Sequence, residues 1–485
     1  MTYRAPRPRS RPHLLRQQPL RRRTSYRPPP DPRHTKPKGI ATAWTRIRRL
    51  LWSWWPWALL SVYYLDRHNW WAAFGIGLWA GVCSLSTPAE FPPQYGLDHG
   101  LTVSDPEFLN SMAGAAGVAF LPGNSLALLN NGDRFYPAML AAINEAKYSV
   151  TVEAYIYWAG EIGLRFANAL AAAAGRGVRV KILLDAVGSA SVGAEILQIL
   201  DKGGCHVAWY NPVRIGHLRR INNRTHRKSL IIDGRVGFTG GAGIADHWTG
   251  DAQDDKHWRD LQIRIEGPAV RPLQTGFAQN WLEATCELVT GPDFYPSLTP
   301  SGTLALQTIM SSPETGASTV RVMYCLAISA ARVSIDIANP YFVPDHVSID
   351  LFRDATKRGV RVRVMVAGVS NDTLVTRYNS VRLYGALLDA GVELYEYNRT
   401  MMHHKIMMID GLWATVGTSN FDNRSFSHNE ESNVSVSDEG VALELVQTFE
   451  RDLAVCDRVT KETWQRRGLP HRTVEALASF VQDQV

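Results

Sequence analysis

His226-Arg-Lys-Ser-Leu-Ile-Ile-Asp-Gly234 and His403-His-Lys-Ile-Met-Met-Ile-Asp-Gly411 are two copies of one pattern, 177 residues apart. In each copy a histidine stands two residues before a lysine, His226 before Lys228 and His403 before Lys405. An aspartate stands five residues after each lysine (Asp233 and Asp410), and a glycine seven residues after that (Gly240 and Gly417). The apolar runs Leu230–Ile232 and Ile406–Ile409 inside the copies read as strands buried on both faces. Side chains at i and i+2 of a strand point the same way. Each copy therefore presents one imidazole and one ammonium to a common space, and a chain that brings the copies together holds two of each.

Such a set suits a phosphate diester. One imidazole attacks phosphorus, the other protonates the leaving oxygen, and the lysines hold the non-bridging oxygens as charge builds. A lysine beside each histidine repels a cation, which argues against a metal site. The charge neutralisation that a metal pair supplies elsewhere falls here to the two ammoniums and an imidazolium, so no metal is expected. Nor is a Gly-rich nucleotide loop present, so no nucleotide cofactor is expected either. Asp233 and Asp410 complete the candidate catalytic set, and their distance from the lysines suits organising the following turn.

The repeat is larger than the motif. Gly177-Val-Arg-Val-Lys-Ile182 is matched by Gly359-Val-Arg-Val-Arg-Val364, each preceded by an arginine and a helical stretch. The strand around Glu153 is answered by the one at Ala330–Asn339. Strands alternate with helices, which implies crossover units and a mainly parallel sheet. The expected fold is α/β: two similar α/β/α halves, residues 123–300 and 301–485, with mixed, mainly parallel sheets packed about a pseudo-two-fold axis through one site. A single half offers one histidine and cannot divide acid from nucleophile.

The double His-x-Lys-x(4)-Asp pattern resembles the phospholipase D superfamily. The segments Phe238-Thr-Gly-Gly241, Trp258-Arg-Asp260, Pro340-Tyr-Phe-Val-Pro-Asp345, Gly417-Thr-Ser-Asn420 and Phe421-Asp-Asn-Arg-Ser-Phe426 are most similar to bacterial cardiolipin synthases. The resemblance implies phosphatidyl transfer through a phosphohistidine. His226 is then the nucleophile and His403 the acid and base, roles that the near-symmetric halves do not separate by spacing. It also implies that Asp260 and Glu431 each bond the far nitrogen of a histidine, and that Thr418 and Asn420 support the phosphate. Gly243 stands where many relatives have asparagine, so the polar support is expected mostly from the second half. The implied substrates are two phosphatidylglycerol molecules in an anionic membrane, with phosphatidylethanolamine able to replace one. Two alternatives use the same residues, a phospholipase D releasing phosphatidic acid and a superfamily nuclease.

Charge sets the nuclease apart from the two phospholipid readings. Residues 1–49 carry thirteen Arg and two Lys against Asp31 alone, a net of +14 within an overall +7, leaving the remainder at −7. The basic excess belongs to one Pro-rich tail expected to be disordered, and no nucleic acid is expected as partner. Residues 50–88 contain two uncharged, Trp-bearing runs around Asp66-Arg67-His68, expected as a membrane hairpin and followed by a connector at 89–122. Fifteen positive residues ahead of the first run place the N-terminus in the cytosol of a bacterial inner membrane, with the catalytic part returning to the same side. The five scattered cysteines fit a reducing compartment. Arg214, His217, Arg219, Arg220, Arg224 and Arg227 form a local basic run before the first motif, expected as a loop at the mouth of the site.

Overall fold

The computed structural model describes residues 54–66, 70–85, 100–212, 222–313 and 319–479. The basic tail lies outside them, as do Arg214, His217, Arg219 and Arg220. The first half contributes β1 (Leu121–Asn130), β2 (Ser149–Ala154), β3 (Arg179–Asp185), β4 (His206–Tyr210), β5 (Arg224–Thr225), β6 (Lys228–Ile232), β7 (Val236–Gly240) and β8 (Leu261–Glu266). The second half contributes β9 (Leu304–Ser311), β10 (Ser334–Ala338), β11 (Arg361–Ala367), β12 (Glu393–Tyr397), β13 (Lys405–Ile409), β14 (Trp413–Gly417), β15 (Asn429–Ser437) and β16 (Cys456–Val459).

Hydrogen bonding runs β4-β3-β2-β6-β7-β8-β1 through one half and β12-β11-β10-β13-β14-β15-β9 through the other. The orders are identical element for element. The halves join where β1 pairs with β9, and β16 is added at one edge. Matched registers confirm the repeat, since Val150 faces Ile232 as Ile335 faces Ile409. Gly177 and Gly359 (φ +93° and +87°) end the equivalent helices Glu161–Gly175 and His346–Lys357 in the left-handed conformation that glycine enters without steric cost, turning the chain into β3 and β11.

Two expectations are corrected. The sheets are mixed but not mainly parallel: in the first half β2-β3-β4 pair in parallel, whereas β2-β6, β6-β7, β7-β8 and β8-β1 are antiparallel. The crossover helices produce only the parallel trio, and the motif itself is a hairpin strand laid against it. The membrane hairpin at 50–88 is also overturned. Its helices, Trp54–Asp66 and Trp70–Leu85, have 13 and 16 residues. At 1.5 Å per residue the longer spans about 24 Å, short of a hydrocarbon core of roughly 30 Å. No helix among the described residues is long and apolar enough to cross a membrane.

Among the described residues the apolar core has three parts. One lies within the first half around Phe135, Phe166 and Trp248, and one within the second around Phe342, Phe352 and Trp413. The third spans both halves, joining Ile231 and Phe277 to Met408 and Phe449. Buried ion pairs lie beside the active strands. Arg227 is paired with Glu430, and Arg259 Nε with Asp452 at 3.0 Å. Breaking one partner of such a pair costs about 3–5 kcal/mol, so the relative placement of the halves is stiffly held.

Candidate active site

β6 and β13 each begin at the motif lysine, and the histidine two residues earlier shares its face. The backbone ties each histidine to the opposite half. His226 N donates to Glu430 O at 2.9 Å, and His403 N to Arg259 O at 2.8 Å. Each tie places the next residue of the opposite half, an acid, beside the ring. His226 Nδ1 is 3.0 Å from both oxygens of Glu431, and His403 Nδ1 is 3.0 Å from Asp260 Oδ2. The acid that follows a histidine along the chain thus serves the other histidine. This crossing fixes the ring orientation through Nδ1, and Lys405 Nζ lies 3.1 Å from His403 Nε2.

A cavity of about 470 Å³ contains His226, Lys228, His403 and Asn420 in its wall. Thr418 sits just behind it, its Oγ1 donating to Glu431 Oε2 at 2.5 Å. Asp260 has different support: Trp248 Nε1 donates to Oδ2 at 2.9 Å and Leu261 N to Oδ1 at 2.7 Å. The glycine at 241, equivalent to Thr418, has a steric cause. A Cβ there would lie 2.2 Å from Asp260 Oδ1. The two sides are lopsided in kind, with an indole replacing a hydroxyl.

Asp233 and Asp410 are not brought into this cavity. Each begins the three-residue connection of its hairpin, Asp233-Gly234-Arg235 between β6 and β7 and Asp410-Gly411-Leu412 between β13 and β14, with φ of 53° and 54° and glycines at 60° and 65°. Their side chains accept backbone N–H groups, Asp233 from Lys147, Tyr148 and Ser149, Asp410 from Arg332, Val333 and Ser334. They pin the hairpins to the start of β2 and β10, at the strand end remote from the lysines. The type I′ geometry explains the fixed Asp-Gly spacing.

Other candidates are also resolved. The Glu430 carboxylate is held by Arg227, and it is the Glu430 carbonyl that accepts from His226 N. His404 is buried, 3.9 Å from Asp452. Arg224 and Arg227, expected in a loop at the mouth, are buried instead, Arg224 being 3.5 Å from Asp185. Sequence reasoning missed Tyr155 and Tyr341, which flank the histidines at ring distances of 5.1 and 6.1 Å and lie under the lysine ammoniums at 5.5 and 5.9 Å. It also missed Trp248 and Asp422. Their signal lies in the distinctive segments quoted above for Tyr341 and Asp422, whereas Tyr155 and Trp248 carry none.

Burial dominates the electrostatics. It holds His226 well below the usual imidazole value, with Lys228 and Lys405 adding repulsion. His403 is pushed down to about 3 by burial and then Lys405, partly offset by Asp260. Burial pulls Asp260 upward, yet the hydrogen bond and charge of His403 outweigh it, so the carboxyl ends below its usual value. Glu431 is moved the other way, raised by burial against the pull of Lys228. Lys405 is lowered to about 8 by burial, and Lys228 is lowered by burial and the like charge of Lys405. Both imidazoles are therefore unprotonated at neutral pH, and the crowded lysines hold their protons weakly until an anion binds.

A pH dependence follows. The ammonium form exists below the lysine pKa and is lost as pH rises through it. We expect kcat/KM to fall as pH rises above about 7, where Lys228 begins to lose its proton, and further through about 8 with Lys405, with kcat falling at higher pH because a bound phosphodiester raises both lysine values. Vesicle assays across pH 6–10 check this, and a kcat/KM flat to about pH 10 contradicts it.

Two segments, residues 139–281 and 324–453, match one family model, described as the cardiolipin synthase, phospholipase D-like domain. The chain is 33% identical over 365 residues to the major cardiolipin synthase ClsA of Bacillus subtilis, covering 75% of this chain and 76% of that protein. It is 35% identical over 357 residues to a cardiolipin synthase of Geobacillus sp., covering 73% and 71%. In fold it is similar to the crystal structure of a phosphatidylserine synthase from Haemophilus influenzae, with a TM-score of 0.61 at 13% identity, over 78% of this chain and 100% of that one.

Proposed function

The chain belongs to the cardiolipin synthase family of the phospholipase D superfamily, and on that premise we propose that it transfers a phosphatidyl group from one phosphatidylglycerol to another. His226 Nε2 attacks phosphorus, and the ester bond to the headgroup glycerol breaks. His403, having taken up a proton on binding the anion, gives it to the departing oxygen. This leaves a phosphatidyl group on His226 and free glycerol. His403 then removes a proton from a hydroxyl of the second phosphatidylglycerol, whose oxygen displaces His226 to form cardiolipin. Lys228 and Lys405 hold the non-bridging oxygens throughout, aided by Asn420. One phosphodiester replaces another, so no nucleotide is consumed.

The crossed pairing of the histidines with Glu431 and Asp260 is the observation that carries this reading. It divides two similar histidines into different roles. Asp260, held below its usual pKa, is a carboxylate against His403 and stabilises an imidazolium there, while Glu431, raised by burial, is the weaker partner of the imidazolium form at His226. Residues 123–300 and 301–485 act as halves of one catalytic unit, since each supplies one histidine and the acid for the other. The protein is a bacterial membrane-associated enzyme of lipid metabolism. The cytosolic face suits its unpaired cysteines and its tail, whose arginines gain energy against anionic headgroups.

Purified protein in phosphatidylglycerol vesicles, without nucleotide or added metal, is expected to form cardiolipin and glycerol in equal amounts by mass spectrometry. Phosphatidic acid as the sole lipid product means that water is the acceptor and the synthase reading fails.

A further inference from the structure

The cavity is built from equivalent loops of the two halves, yet they line it with different chemistry. The segments after β2 and β3 contribute Ile156, Trp158 and Val187 beside Tyr155 and Ser191, whereas those after β10 and β11 contribute Tyr341, Thr376 and the carboxylate of Asp372. The Tyr341 hydroxyl donates to Asp372 Oδ1 at 2.5 Å. A carboxylate is an acceptor at both oxygens and repels phosphate. Beside a phosphodiester site, Asp372 favours the protonated forms of His403 and Lys405, and its remaining lone pairs suit a part of the substrate that donates hydrogen bonds rather than the phosphate itself. The reaction direction says which part. Attack from His226 expels the leaving oxygen on the far side of phosphorus, toward His403, and Tyr341 is the tyrosine on the His403 side while Tyr155 stands against His226. The headgroup leaves toward Asp372.

We infer that Asp372, Tyr341 and Thr376 form a polyol subsite that receives the hydroxyls of the leaving glycerol, and that the apolar side of the cavity takes the lipid backbone. This rests on the phosphatidylglycerol reading and deepens it. The site sorts leaving groups by their hydroxyls, and by reversibility it also sorts small alcohols that enter as acceptors.

The test is a competition in one sample. Full-length protein in phosphatidylglycerol vesicles is given deuterated glycerol and ethanol together, and the products, deuterated phosphatidylglycerol and phosphatidylethanol, are measured as a ratio that cancels losses of folded enzyme. Asp372→Asn is expected to lower the glycerol-to-ethanol ratio about tenfold, the factor for losing one or two hydroxyl hydrogen bonds, and Tyr341→Phe to lower it about threefold. A ratio within twofold of wild type in both variants overturns the subsite. So does a third competitor, ethanolamine, if its product falls more than that of glycerol in Asp372→Asn, because the group is then an ammonium site. If the wild-type protein makes neither product, the transfer reading fails, and the subsite with it.

Discussion

Replacing His226 with asparagine abolishes covalent labelling of the protein by phosphatidylglycerol carrying labelled phosphate, and turnover drops by roughly four orders of magnitude or more. Asn keeps the backbone tie to Glu430 but has no Nε2 to bond phosphorus. His403→Asn behaves differently. It keeps the nucleophile and loses the proton donor, which slows glycerol departure by about 10²–10⁴-fold. With a donor whose headgroup needs no proton on leaving, such as p-nitrophenol, His403→Asn accumulates label, since it forms the phosphatidyl-enzyme and lacks the base to discharge it. The label should be acid-labile and alkali-stable, as a phosphorus–nitrogen bond to imidazole is. If His226→Asn acquires label and His403→Asn does not, the roles of the histidines are reversed.

Much of this site was readable from the chain because its parts are local. The period of two puts His226 with Lys228 and His403 with Lys405, and the matched Gly177 and Gly359 segments revealed a repeat that the strand order bears out. What spacing cannot carry is partnership between halves. Asp260 follows His226 by 34 residues and Glu431 follows His403 by 28, yet each acid lies against the other histidine. That choice is made by the ties His226 N to Glu430 O and His403 N to Arg259 O, which exist only after the halves pack. The parallel expectation failed for a related reason. Alternating strands and helices describe β2, β3 and β4 and are silent about the hairpin strands β6, β7 and β8 that make the rest. The membrane hairpin failed on length, because hydropathy does not show where a helix stops, and here the first ends at Asp66 and the second begins at Trp70.

The crossed acids supply the second large expected effect, and it separates them. Asp260 accepts three donors: His403 Nδ1–H and Trp248 Nε1–H at Oδ2, and Leu261 N–H at Oδ1. Asparagine at 260 must turn its NH₂ toward one of these donors, so either the backbone amide loses its acceptor or His403 is driven to the wrong tautomer. Asp260→Asn is expected to lower kcat about 10³-fold with phosphatidylglycerol. Glu431 is surrounded more forgivingly, because the Thr418 hydroxyl that donates to Oε2 can rotate and accept. Glu431→Gln is expected to cost about 10- to 100-fold. The decisive reading is leaving-group dependence. With the p-nitrophenol donor no acid is needed, so the burst of nitrophenol from Asp260→Asn recovers to within about tenfold of wild type, whereas Glu431→Gln, which weakens the nucleophile itself, keeps its deficit. Equal recovery in both variants, or recovery in Glu431→Gln alone, contradicts the assignment of Asp260 to the acid and Glu431 to the nucleophile.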